Sequence, residues 1–169
     1  MSQAASQSVE FSALVYGSFV ASLLEMTEDV EEVNKKLDEI GYRIGLRLAH
    51  DFGRDEGLER IDTPDKVVGN VIKKKWPSLS HSSDVQAQFD GKMIILTFPP
   101  SIFTQNVQIP ELYSGVHFTG MITGILRGIF EIFHFRVNTT LLEQSEQVGT
   151  KVQIDVVEEI PIAVPKTDD

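Results

Sequence analysis

The 169-residue sequence contains no cysteine. That excludes disulfides, thiolate zinc sites, a cysteine nucleophile and S-acylation of this chain. Basic residues are scarce beside acidic ones, 15 Lys and Arg against 25 Asp and Glu, so the net charge is −10. Phosphate repels such a chain, and nucleic acid is not an expected partner. Long apolar runs are also missing. Phe118 to Phe133, read as the most apolar run, is interrupted by Arg127 and Glu131 and falls short of the ~20 residues of a bilayer span. Met1 to Ser8 has neither a charged n-region nor an apolar h-region, so no secretory signal is read and a cytoplasmic location is expected. The phosphate-loop patterns G-x-x-x-x-G-K and G-x-G-x-x-G, the nucleophile elbow G-x-S-x-G and the zinc pattern H-E-x-x-H are all absent. His50, His81, His117 and His134 are scattered. No metal, no cofactor and no catalytic residue is therefore expected.

What is present fits one folded domain: 41% of residues are apolar and 24% charged. Residues 1–8 read as a disordered arm, 9–160 as the domain, and 161–169 as a flexible acidic tail. A first helix is expected over Val9–Met26, with Leu14, Ala21 and Leu24 on one side. Asp29 with Glu32 has the character of a capping box for a second helix ending near Phe52. Its stripe is Val33, Leu37, Ile40, Ile44 and Leu48. Thr63-Pro64 starts a third helix that reaches Trp76 and is stopped by Pro77. Val85–Phe98 reads as a hairpin turning at Asp90-Gly91. A long helix is expected over Glu111–Phe135, then strands over Val137–Gln144 and Lys151–Glu158. Segregated helices and strands with short turns indicate an α+β fold, helices packed on a four-stranded, mainly antiparallel sheet.

Gly120, Gly124 and Gly128 recur every fourth residue inside an apolar helical run. Each costs about 1 kcal/mol against alanine in a helix interior, so something must offset them. Ala13/Gly17/Ala21 and Gly41/Gly45 repeat the spacing. Close helix–helix packing explains each stripe alone; recurrence on three helices suggests a narrow feature or a shared interface. Arg60, Lys66, Lys73, Lys74 and Lys75 form a basic island between acidic segments. It reads either as a solvated helix face or as a patch toward an anionic membrane.

Tyr16-Gly17-Ser18-Phe19-Val20, then Glu32-Val33-Asn34-Lys35-Lys36-Leu37-Asp38, then Gly41-Tyr42-Arg43-Ile44-Gly45-Leu46-Arg47-Leu48, then Ile125-Leu126-Arg127-Gly128 with Glu131 together resemble the small core subunits of the TRAPP vesicle-tethering complex, within them the Bet-three-type branch. The resemblance spans about Val9 to Ile160. It implies a non-enzymatic subunit without cofactor, cytoplasmic and peripheral at Golgi and endoplasmic reticulum membranes. Sister TRAPP subunits are the implied partners in a heterodimer, with a homodimer when the chain is alone. The implied roles are tethering of ER-to-Golgi vesicles and participation in a guanine-nucleotide exchange factor for a Rab GTPase. Ala13, Gly17 and Ala21 are the implied dimer-interface residues. Lys66, Lys73, Lys74 and Lys75 are the implied membrane-facing patch, and Glu158 and Glu159 the implied GTPase-contact tail. The branch commonly carries an acylated cysteine whose chain lies in a tunnel among the helices. Here Leu58 stands at that position and Ile72 where a small lining residue is usual; Gly120 and Gly124 are the other tunnel candidates. Leu58 and Ile72 are expected to fill the space a fatty chain occupies elsewhere. The alternative reading is a standalone domain binding a lipid or small ligand in an interhelical cavity.

Overall fold

A computed structural model describes residues 3–27, 29–53, 61–80, 82 and 84–161. Helix α1 covers Gln3–Thr27 and α2 covers Val30–Gly53. Residues 3–8, expected as an arm, form the first turns of α1; Gln3, Ala4, Ala5 and Gln7 include strong helix formers and no breaker. Asp29 starts α2: its carboxylate accepts from the Glu31 amide at 2.9 Å and its carbonyl from the Val33 amide at 3.0 Å. Glu32 does not close the expected box but pairs with Lys36 at 2.7 Å.

The third helix departs from expectation in two ways. It opens as α3 (Pro64–Lys66), with the Thr63 hydroxyl accepting from the Lys66 amide at 3.4 Å. It then widens to a π-helix over Val67–Ile72 and continues as α4 (Lys73–Ser80), with Pro77 inside rather than at its end. The N–H that proline lacks falls opposite Lys73, at the junction with the wide turns. Beyond it, Ser78 and Ser80 donate their hydroxyls to the Lys75 and Trp76 carbonyls at 2.7 and 2.9 Å. The π turns bury Val67, Val68, Val71 and Ile72 together.

The expected long helix is also corrected. Glu111–Tyr113 is a single 3₁₀ turn, a loop follows, and α5 covers only Gly120–Ile132. The intervening backbone is bonded sideways. Asn34 of α2 donates to the Gly115 carbonyl at 3.0 Å and accepts from the His117 amide at 2.7 Å. Gln144 donates to the Val116 carbonyl at 2.8 Å and accepts from the Thr119 amide at 3.1 Å. Groups satisfied this way leave nothing for a helical ladder to gain. At the other end His134, at φ 65°, turns the chain into the sheet.

Strands β1 (Gln86–Asp90), β2 (Met93–Phe98), β3 (Phe135–Ser145) and β4 (Gly149–Glu159) form one antiparallel sheet in the order β1-β2-β4-β3. The hairpin forms where expected but turns one residue later than Asp90-Gly91: Asp90 still pairs with Met93, and the two-residue loop is Gly91-Lys92, with Gly91 at φ 59°. On one face Ile94, Leu96 and Phe98 of β2 join Val152 and Ile154 of β4 in the core. Val33 and Leu37 of α2, and Ile122, Leu126, Ile129 and Phe130 of α5, complete the same core. The layers are thus helices over one face of a sheet, as expected for α+β.

Candidate functional site

Two sets of small residues meet different fates. A Cβ on Gly124 would press on the Asp38 carbonyl oxygen and sit 2.6 Å from the Tyr42 nitrogen; one on Gly128 would be 2.9 Å from the Leu46 nitrogen. From the other side, a Cβ on Gly41 or Gly45 would lie 2.9 Å from the carbonyl carbon of Met121 or Ile125. The backbones of α2 and α5 therefore touch, and the glycines are what permits it. Gly124 faces α2, with no room for a ligand, and a Cβ on Gly120 would meet only His117 at 3.3 Å and Leu37 at 3.8 Å. At the rim of this contact the Asp38 carboxylate holds the Arg127 guanidinium and accepts from the Thr123 hydroxyl at 3.0 Å. Arg127 lies 4.9 Å from the Tyr42 ring centroid. The Tyr42 phenol titrates above its ordinary value, first through burial, then through its hydrogen bond to the Glu131 carboxylate and that charge, against the opposing Arg127.

Helix α1 is the opposite case. Ala13 and Val20 are buried, and Tyr16 donates its hydroxyl to the Phe118 carbonyl and meets Phe103 edge-on at 5.0 Å. Burial holds the Tyr16 phenol well above the ordinary tyrosine range. Most of the remaining circumference is uncovered: Phe11 is 68% exposed, Leu14 67%, Val15 54% and Met26 77%. Leu14, Ala21 and Leu24 share one side of the helix as expected, the side that lines the groove described next, while Ala13 and Val20 are buried. By length and composition Ser8–Thr27 is long and apolar enough to cross a membrane, yet only 17% of it is buried. This stretch, not Phe118–Phe133, is the longer apolar run.

Between α1 and residues 105–118 runs a groove of about 530 Å³. Ala13, Gly17 and Ala21 line it from α1, facing Val107 and Ile109. A Cβ on Gly17 would find nothing within 4 Å. Here the small residues hold no neighbouring helix.

The other expected site residues are dispersed. Leu58 and His81 lie outside the described residues. Ile72 is in the core, 1% exposed. Lys66 pairs with Asp62 at 2.8 Å, Lys75 lies over the Phe52 ring at 5.7 Å, and Lys73 and Lys74 are exposed. Glu158 and Glu159 are the last residues of β4, not part of a tail, and Glu158 pairs with Arg136 at 2.6 Å. The described part of the tail is Ile160 and Pro161. Among the described residues no three His, Asp or Glu are grouped to hold a metal. Sequence reasoning missed Tyr16, Asn34, Asp38, Arg127 and Gln144 as anchors. All five reach partners far along the chain, which no local spacing encodes.

These features define a class: an α+β domain whose central helix pair is locked by glycines and whose first helix is left apolar at the surface, the anatomy of an assembly component. The model of the transport protein particle (TRAPP) component family matches residues 12–157, and the chain belongs to that family. It is 28% identical over 153 residues to trafficking protein particle complex subunit 3 of Dictyostelium discoideum, spanning 88% of this chain and 81% of that protein. It is 28% identical over 166 residues to transport protein particle subunit bet3 of Schizosaccharomyces pombe, spanning 90% and 87%. A crystal structure of trafficking protein particle complex subunit 3 from Naegleria fowleri, covalently bound to palmitic acid, superposes with a TM-score of 0.79. It covers 89% of this chain and 95% of that one at 21% identity. The resemblance read from the sequence and the α+β architecture both stand on these matches.

Proposed function

We propose that this chain is a non-enzymatic scaffold subunit of a TRAPP complex, acting in tethering of ER-to-Golgi transport vesicles and within a Rab GTPase exchange factor. Sister TRAPP subunits are its direct partners, through α1. The observation that carries this reading is the exposed apolar stripe Phe11, Leu14, Val15 and Met26 on a helix of a family defined by its membership of a complex. Burial of such a stripe stabilises association by roughly 25 cal/mol per Å² of apolar surface before the costs of assembly. The uncovered Gly17 lets a second helix come close. Light scattering of the purified chain, alone and mixed with sister TRAPP subunits, tests it. The expected result is a stable heterodimer that Leu14→Glu prevents. A persistent monomer with every sister would overturn the reading.

Covalent palmitate does not fit this chain. A thioester needs a thiol, and the sequence has none. The core position Ile72 is filled by a branched side chain buried with Val67, Val68 and Val71, which supports a closed interior in place of an acyl tunnel. Intact-mass spectra of the purified protein are expected to show the unmodified chain, and native spectra no retained fatty acid. The second reading, a small-ligand site, is favoured only by the α1 groove, whose volume of about 530 Å³ is in the range of such sites. An extractable small molecule on a monomeric chain would decide for it.

A further inference from the structure

A second surface, independent of α1, lies where the sheet is notched. Strand β4 runs on past its neighbour. β2 pairs with it only from Thr150 to Asp155, and the Val156 amide, donating to the Lys92 carbonyl at 2.9 Å, makes the last bond on that side. Val157, Glu158 and Glu159 continue beside β3, but along the β2 side their backbone has no partner among the described residues. Val157 is the extra residue of a bulge, since Val137 pairs with Val156 and Arg136 with Glu158. Such a bulge bends and twists the end of a strand. A groove of about 490 Å³ opens along this free edge. Its floor is apolar, Ile94, Phe135 and Val156, and its rim holds Asp65 at the start of α3 and Lys92 at the hairpin turn. Glu158 is taken up by Arg136. Asp65 and Glu159 are exposed carboxylates outside any ion pair among the described residues, set against the one ammonium of Lys92.

We propose that this notch receives an extended segment of a partner chain, added as a short strand beside Val157–Glu159, with an apolar side chain on the floor and, two residues along, a Lys or Arg toward Asp65 and Glu159. The backbone decides the shape of the occupant. A free strand edge offers N–H and C=O groups in a row, and another extended backbone returns them in kind. A helix has already used its own groups internally, and a lipid chain has none. The open edge is three residues long, about 10 Å at 3.3 Å per residue. The segment is therefore short and lies in line with β2, halted at Lys92. Side chains two apart on a strand point to the same face, which is why the apolar and the basic residue are spaced that way. Charge then sets the preference. Two carboxylates against one ammonium favour a cationic segment and disfavour an acidic one.

The test titrates the full chain into a fluorescein-labelled, end-blocked peptide, Thr-Val-Thr-Lys-Thr, and its acidic counterpart, Thr-Val-Thr-Glu-Thr, followed by fluorescence anisotropy. The basic peptide is expected to bind with a Kd about tenfold below that of the acidic one at about 0.01 M salt, with the gap closing at about 1 M. The basic peptide N-methylated at alternate amides keeps its side chains and charge but cannot pair as a strand, and its Kd is expected to rise by about tenfold or more. The variant D65K/E159K, altered at two exposed positions, is expected to keep the native circular dichroism and to prefer the acidic peptide. Binding unchanged by N-methylation would overturn strand addition. No saturation by the basic peptide, or an unaltered preference in D65K/E159K, would overturn the site. Self-association abolished by D65K/E159K would overturn the proposal in favour of a second copy of this chain in the notch. Binding that appears only once the residues beyond Pro161 are removed would overturn it in favour of the chain's own continuation.

Discussion

Replacing Gly124 by alanine tests the helix pair most directly. Helix propensity alone favours the substitution by about 1 kcal/mol. The structure opposes it: the new Cβ would lie 2.6 Å from the Tyr42 nitrogen and closer still to the Asp38 carbonyl oxygen, against an ordinary separation of ~3.5 Å. Both obstacles are backbone, so no rotamer change relieves them. The helices must part by roughly 1 Å, and a gap of that size forfeits a quarter to a half of each facing contact's dispersion energy. With the cost set at about 3–4 kcal/mol, above the usual overpacking of 1–3 because no side chain gives way, the net loss is about 2–3 kcal/mol. For a chain of this length that is a fall in Tm of roughly 5–10 °C. Gly17→Ala is the internal control, since its Cβ meets nothing within 4 Å. It should gain roughly 0.5–1 kcal/mol under dilute, monomeric conditions. Urea and thermal unfolding followed by circular dichroism read both. A Gly124→Ala protein as stable as the native chain would refute the backbone-contact argument, as would a Gly17→Ala protein losing as much as Gly124→Ala.

Three further expectations follow from single contacts. Tyr16→Phe removes the hydrogen bond to the buried Phe118 carbonyl and should cost about 1–2 kcal/mol in urea titration. The native Tyr16 phenol is held protonated in the fold, so its contribution is complete below the unfolded value near 10. That contribution is lost as pH rises beyond it. Unfolding at alkaline pH should therefore steepen in the native protein more than in Tyr16→Phe, and identical alkaline limbs would contradict this. Asn34→Ala breaks both bonds that hold Gly115 and His117; a loss of about 1–3 kcal/mol is expected. The His117 amide should exchange faster with solvent, and unchanged protection there would remove Asn34 as an anchor. Asp38 and Arg127 are each about a third exposed, at 33% and 38%, so a double-mutant cycle with alanine at both should return a coupling of about 1 kcal/mol or less. A coupling of several kcal/mol would mean the pair is far better shielded than its exposure indicates.

The sequence by itself determined the kinds of element and much of their order. The Val33–Leu48 stripe is written at helical spacing, and Gly91 supplies the positive φ that the hairpin turn demands. Alternation in Val152, Ile154 and Val156 sets which face of β4 is buried. It also determined chemistry by exclusion, since a chain without cysteine forms no thioester. Tertiary structure decided everything that depends on what lies across a gap. The three small-residue stripes look alike along the chain. Two of them meet backbone, because α2 and α5 are pressed together over the sheet, and the third meets a groove, because Tyr16 and Val20 turn Leu14 and Gly17 outward. The helix expected over Glu111–Phe135 is shortened by Asn34 and Gln144, whose side chains satisfy its backbone from a distance. Pro77 stays inside α4 for a similar reason, its missing N–H falling where the π turns have already changed the ladder. Periodicity records which residues can be buried together; only the packed fold assigns the neighbour that buries them, and at α1 it leaves the apolar stripe exposed.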